Sequence, residues 1–340
     1  MSMLWRVVGC VAMAAVTSTA TAQRGNNKDD KAAGYDRAAR ATVVHEAIVY
    51  VSPDVNAQKV STVLPGHEVV VVERSGPWVR VFANTDVEEK ADEADHPLVE
   101  EEENITPASG WIHDKGVVGP ATKDGDAILY GAAATYEEAA TEPHAPKGAA
   151  SEAHLLYRRV AEYYPNSPLA PEAAWRSADV RWQMERRDVT SLPSAKEQDA
   201  YLRPTIYEGE MKKVMKNYPG TKFAAYAAYD LLDNKLCGDW QGLPKCPEKE
   251  SDLYEKYAAQ YPDGPRTAEA LYNAEYRQGV LVTMYTVDED KKKANNAAQH
   301  AQALADQLKA KFAGTDYAAR GAALAYRVAQ EIPVYGSDRN

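Results

Sequence analysis

A twelve-residue stretch that returns four times constrains this chain more than any other feature. Residues 164–175 read YPNSPLAPEAAW, residues 218–229 YPGTKFAAYAAY, residues 261–272 YPDGPRTAEALY and residues 312–323 FAGTDYAARGAA, and the four align without a gap. Each copy has an aromatic residue, a Pro or Gly turn that cannot continue a helix, and then an alanine-rich run. That order predicts two antiparallel helices meeting at a tight corner. Ser167, Thr221 and Thr315 stand where an N-cap hydroxyl accepts from the free amides of the second helix, and Pro168 suits its first position. The third copy offers only Gly264, a weaker cap, followed by Pro265. Small residues recur at fixed offsets: Ala170, Ala224, Thr267 and Ala318, then Ala173, Ala227, Ala270 and Gly321. Small side chains at one helical register let backbones approach, so neighbouring helix pairs can stack into an all-α helical-repeat solenoid.

The residues ahead of each corner have helical period. Leu156, Val160 and Tyr164 share a face, as do Tyr207, Met211, Met215 and Tyr218, Leu253, Tyr257 and Tyr261, and Leu304, Leu308 and Phe312. The corners are 54, 43 and 51 residues apart, from positions 164, 218, 261 and 312. These spacings exceed the roughly 34 residues of a tetratricopeptide repeat, so the second helices are long or the connections carry insertions.

The chain begins with a basic start at Arg6, an apolar run over residues 7–16 and an Ala-Thr-Ala ending at Ala22. This is the pattern of a secretory signal peptide over residues 1–22, followed by a polar tether over residues 23–40. The apolar run is too short to span a bilayer, and no later stretch is longer, so no transmembrane segment is expected. A lipobox-like Val7-Val8-Gly9-Cys10 offers lipid anchoring through Cys10 as the alternative to a periplasmic or secreted protein. Export leaves Cys237 and Cys246 as the mature cysteines, close together among glycines and prolines, and in an oxidising compartment they are expected to form a structural disulfide.

The formal net charge is -11. Ten carboxylates against Lys90 lie between Asp86 and Glu103, a local net of -9, so the rest of the chain is near neutral. That balance argues against nucleic-acid partners, which require a basic face.

Residues 41–120 read as short strands between turn signals such as Pro65-Gly66 and Ser75-Gly76-Pro77. Five short strands across this segment suggest a small closed barrel. The segments VYVSP (49–53), VLPGHEV (63–69), GPWVRV (76–81) and SGWI (109–112) resemble a bacterial SH3 domain. The resemblance implies a small all-β SH3-like barrel that binds peptide or cell-wall material. This chain departs from the pattern by an acidic insertion over residues 83–108 in a hairpin that is short in that family. The insertion reads either as a solvated loop or as a site for a basic partner or divalent cations. Tyr50, Trp78 and Trp111 are the candidate ligand-binding residues, with core packing as the competing reading of each tryptophan and Tyr50 as the best groove residue.

Residues 121–148 read as a linker or adaptor helix and residues 149–340 as the helical-repeat domain. Tyr164-Pro165, Ser167, Ala170 and Ala173 match a corner that resembles those of exported tetratricopeptide-like proteins, in particular the outer-membrane assembly lipoprotein and the Tol-Pal coordinator. That resemblance implies a protein partner in the cell envelope. The 21 tyrosines against 3 phenylalanines allow a peptide groove or ordinary helix packing. Trp175 and Trp182, seven apart, are expected in the core, and Arg158, Arg159, Arg186 and Arg187 are expected to be solvated. No nucleophile elbow, phosphate loop or zinc-protease motif is present in the sequence, and the histidines form no ligand-spaced cluster. No catalytic residue, metal or cofactor is therefore assigned. The sequence points to a multidomain, non-enzymatic scaffold of the bacterial cell envelope, with peptidoglycan, a peptide or an envelope protein as ligand. A wall-targeted enzyme or an activator of a peptidoglycan hydrolase is the alternative.

Overall fold

A computed structural model describes residues 39–86, 106–191, 205–237, 240 and 242–336 of the 340-residue chain. The expected signal peptide, almost all of the tether, and all but the first carboxylate of the acidic run lie outside the described residues.

Seven strands form one antiparallel sheet: β1 (Arg40–Val43), β2 (Ala47–Tyr50), β3 (Lys59–Val63), β4 (Glu68–Ser75), β5 (Trp78–Ala83), β6 (Ala108–His113) and β7 (Val117–Val118). Their order is β3-β2-β6-β5-β4-β1-β7. Side chains alternate along each strand, which sends Val49, Val79, Val81 and Ile112 into a dry core with Val43, Val63 and Val69. The sheet curls into a half-barrel and does not close: β3 and β7 remain its two edges. The two residues of β7 offer too few ladder bonds to bridge that gap.

Nine α-helices follow among the described residues: α1 (Gly125–Ala140), α2 (Ala149–Tyr163), α3 (Ala170–Ser191), α4 (Gly209–Asn217), α5 (Lys222–Asp230), α6 (Lys245–Gln260), α7 (Thr267–Val287), α8 (Lys291–Phe312) and α9 (Asp316–Ala329). The four repeated stretches are the corners α2/α3, α4/α5, α6/α7 and α8/α9. Proline sets their geometry, because the residue before it is excluded from helical conformation. Tyr164, Tyr218 and Tyr261 each precede a proline and leave the helix at nearly the same angles, φ/ψ of -125/57°, -127/52° and -125/66°. Phe312 precedes Ala313 instead and stays helical, so the fourth helix runs one residue further. The carbonyl of each aromatic accepts from the amide three residues on, at 2.9 Å from Ser167, 3.4 Å from Thr221, 3.0 Å from Gly264 and 2.9 Å from Thr315.

Thr221 and Thr315 cap their helices, accepting from Ala224 at 3.2 Å and Ala318 at 3.3 Å. Ser167 accepts from the Leu169 amide at 3.1 Å and donates to Asp126 at the start of α1. Helix α7 has no side-chain cap, as Gly264 implies. All eight small residues at the two fixed offsets are buried. Register within pairs is antiparallel: His154 meets Ser177 across α2/α3, and Ser251 donates to Ala274 at 3.3 Å across α6/α7. Helix α1 packs on α2 through Leu129 and Ala133 against Leu156, Tyr157 and Val160.

Sheet and helices meet at a buried cluster of charges. Arg159 of α2 is 2% exposed, which corrects its expected solvation. Its guanidinium donates to Asp86 at 2.5 Å, to Glu162 at 2.6 Å and to the Gly66 carbonyl at 3.0 Å. Asp86 also lies 3.3 Å from His67 Nδ1, and Glu68 accepts from Arg40 at 3.1 Å and Thr85 at 2.7 Å. Burial opposes the charge on Asp86, yet the Arg159 guanidinium and the His67 hydrogen bond hold its carboxyl well below the usual range. Gly66 makes this approach possible. Its φ is +86°, and a Cβ there would lie 2.5 Å from the Leu155 Cβ. The first carboxylate of the acidic stretch is thus a structural anchor and not part of a solvated loop, and Ala83 and Ala108, the expected ends of the insertion, belong to β5 and β6.

A second buried network joins α3 to α4, where Arg181 binds Glu185 at 3.0 Å and Glu210 at 3.2 Å. A third lies beside the cysteines: Glu250 accepts from the Cys237 amide at 2.8 Å and from Arg277 at 3.1 Å. Cys237 and Cys246 form the expected disulfide, with Cα atoms 6.0 Å apart.

Glu275 of α7 is different. It is fully buried, both carboxyl oxygens lack hydrogen-bond partners among the described residues, and it occupies the notch that Gly321 of α9 leaves open, where a Cβ would meet its Oε2 at 2.5 Å. Burial raises its pKa to about 8.

Two outcomes follow from these charges. Arg159→Met strands the buried Asp86 carboxylate and is expected to lower the unfolding free energy by about 3–5 kcal/mol in urea titrations. Glu275 is protonated in the folded chain and ionised in the unfolded one between its ordinary value and about pH 8. The stability it contributes is therefore full at low pH and is lost as pH rises through that window. Glu275→Gln is expected to raise the melting temperature by roughly 5 °C near pH 9 and to leave it unchanged near pH 5 in calorimetry.

Candidate functional site

Two surfaces gather side chains that packing alone does not account for. The first is the face of the sheet opposite its core. The two-residue alternation that sends Val49, Val79 and Ile112 inward turns Tyr50, Trp78, Arg80, Trp111 and His113 outward. Strand register brings them together, because Tyr50 and Arg80 both pair with Trp111, and Trp78 with His113. Trp78 stacks on the His113 ring at 4.1 Å, and the Tyr50 ring meets Trp78 edge-on at 5.7 Å. Tyr50 and Trp78 retain only 9% and 8% of their exposure, whereas Trp111 is half-buried. Tyr50 and Trp78 thus support the surface and Trp111 offers the more accessible ring. A Cβ at Gly110 would lie 2.5 Å from the Tyr50 carbonyl, so glycine is what lets β6 pass this close to β2.

The second surface runs along the second helices of the pairs. Trp175 of α3 stacks on Tyr226 of α5 at 4.8 Å, and Arg266, just ahead of α7, lies over the rings of Tyr226 at 5.8 Å and Tyr229 at 5.7 Å. Tyr229 accepts from Asn273 at 3.1 Å, and Tyr272 of α7 packs against Tyr317 of α9 at 6.0 Å. These rings are half-buried, while Tyr254 and Tyr257 of α6 lie in the core. Tyr226, Tyr229 and Tyr272 are thus half-buried, and Tyr254 and Tyr257 belong to the packing. Trp182 is core, at 2% exposure, but Trp175 is not fully buried.

Carboxylates accompany the rings. Burial, together with the neighbouring charges of Asp179 and Asp233, pushes Asp230 up to about 7, and burial likewise raises Asp179 and Asp233. Arg266 is engaged by Glu269 at 2.7 Å. Spacing in sequence did not single out Asp179 and Asp230. The only trace was Trp175 and Asp179 four apart on one helix and Asp230 following Tyr229, which gives a shared face but not the meeting of two helices.

His154, Ser177 and Glu210 cluster, but both partners address the same ring nitrogen, at 3.0 Å from Ser177 Oγ and 3.9 Å from Glu210. The ring is 3% exposed and burial lowers its pKa. That geometry is a packing contact, not a nucleophile–base relay. Among the described residues no group of three or more His, Cys, Asp or Glu is placed to hold a metal ion. No family model matches the chain, and no curated protein gives a significant match.

The two sheet tryptophans are expected to differ on truncation. Trp78→Ala, which leaves a void under Tyr50 and His113, should cost roughly 3 kcal/mol or more by denaturant titration, and Trp111→Ala about 1 kcal/mol.

Proposed function

We propose that this chain is an exported, non-enzymatic interaction protein of a bacterial cell envelope. In this reading an SH3-like sheet domain takes a cell-wall or peptide ligand through Trp111 and its neighbours, and a tetratricopeptide-like solenoid takes a protein partner. The observation that carries it is the row of half-buried rings from Trp175 through Tyr226 and Tyr229 to Tyr272 and Tyr317, which continues from one helix pair to the next. Rings with a polar tip suit a surface that must be wet when free and covered when bound. The disulfide-bonded cysteine pair fits an oxidising compartment. No helix among the described residues is long and apolar enough to cross a membrane.

Two measurements test the reading together. The full-length chain is expected to co-sediment with purified peptidoglycan, with about threefold or greater weakening in Trp111→Ala. A photo-crosslinking residue at Tyr226 is expected to give one discrete adduct in producing cells, and the same probe at the exposed Lys249 of α6 none. Absence of both sedimentation and adduct contradicts the proposal.

A further inference from the structure

Each helix pair stacks on the next through the same three places, 10, 11 and 14 residues after the corner aromatic. After Tyr164 they hold Ala174, Trp175 and Ala178, which pack with Met211 and Val214 of α4. After Tyr218 they hold Ala228, Tyr229 and Leu232, which pack with Tyr254 and Tyr257 of α6. After Tyr261 they hold Leu271, Tyr272 and Glu275; Leu271 packs with Leu304 and Leu308 of α8, and Glu275 meets Gly321 of α9. None of these nine residues is exposed, because the following pair covers them. After Phe312 the same places hold Ala322, Ala323 and Tyr326, and all three are exposed, Tyr326 at 64%.

No described residue takes the place of a next pair. Beyond α9 the chain turns at Glu331, φ +57°, and goes back to α7, where Val334 donates its amide to Thr283 at 3.0 Å and packs on Val280 and Met284. The first pair is covered by α1, so the stacking face is left unpartnered at the last pair alone. Beside Tyr326, α8 and α9 leave a groove of about 270 Å³ lined by Ala305, Asp306, Lys309, Ala322, Ala329 and the ring itself. A protruding ring and a groove that can receive one therefore stand on one surface. That is the condition for an isologous contact, in which each copy offers the other the same patch. The charges suit the same symmetry. Asp306 accepts from Gln302 at 3.0 Å, and neither Asp306 nor Lys309, one turn apart on α8, forms an ion pair among the described residues.

We propose that a second copy of this chain covers this face, the two last helix pairs meeting about a two-fold axis with each Tyr326 seated in the other copy's groove. Antiparallel α8 helices then set Lys309 of each copy against Asp306 of the other. The stacking that runs through the helical half is continued by a second molecule in place of a next pair, and the alanines let the helices approach. The contact stands apart from the ligand reading given above. It joins two sheet surfaces and two helical surfaces in one particle, which strengthens retention on any polymeric ligand through avidity.

The test is the mass of the full-length chain by analytical ultracentrifugation over a concentration series. The parent is expected to reach the mass of two chains, and Tyr326→Glu to weaken the dimer about tenfold or more. Tyr326 is exposed within one copy, so this variant is expected to keep the parent's helical circular dichroism. Asp306→Lys and Lys309→Asp should each weaken self-association about fivefold or more. An equimolar mixture of these two variants is expected to regain the dimer, because opposite charges then meet at both contacts, a recovery that misfolded chains do not give. Lys249→Glu, on the exposed side of α6, should leave the mass unchanged. A parent still monomeric at about 100 μM overturns the proposal. So does a dimer that survives Tyr326→Glu, or a mixture of the charge variants that stays monomeric.

Discussion

The ion cluster around Arg159 is the interaction on which the rest of the structure depends. A guanidinium at 2% exposure is tolerable only if its donors are used, and here Asp86, Glu162 and the Gly66 carbonyl take them. The three come from different places: the turn after β5, the same helix, and the turn before β4. One side chain therefore ties two strands and a helix. It also fixes α2, and through the Tyr164 corner it fixes where α3 begins and where Trp175 stands. The sheet surface and the helical surface are consequences of this placement as much as of their own residues.

The helical half relies on a backbone rule applied repeatedly. Proline forbids helix to the residue before it, and three tyrosines in front of three prolines leave their helices within a few degrees of one another. The fourth corner lacks the proline and departs by one residue. Buried charges then act at several junctions, with Arg181 and Glu210 between α3 and α4 and Glu250 beside the disulfide. Glu275 shows the opposite situation, a carboxyl whose pKa burial raises and which has no hydrogen-bond partner among the described residues. Asp230 is a third case, a half-buried carboxyl raised by burial and by the charges of Asp179 and Asp233, with Arg266 partly offsetting them.

What could be read in advance was local. Corners, caps and small residues follow from proline, hydroxyl and Cβ chemistry within a dozen positions, and the strands follow from alternation. The cysteine pair was legible because it is close in sequence. Arg159 and Asp86 were misjudged because they lie 73 residues apart, and nothing in either neighbourhood announces the other. Arg158 and Arg159 look alike in sequence; only the helical face each occupies sends Arg159 inward. Tyr50, Trp78 and Trp111 were legible as a group through strand alternation, but how deeply each ring lies depends on strand register. Asp179 and Asp230 were invisible for a related reason, since their meeting depends on how α5 packs against α3.

If the buried charges join sheet and helices into one cooperative body, both must open together. Native-state hydrogen exchange of the full-length chain, followed over a denaturant series, measures this directly. The account predicts that amides of β4, β5 and α2 share one opening free energy and one denaturant dependence. Strand amides that open at a clearly lower free energy than those of α2 would contradict it.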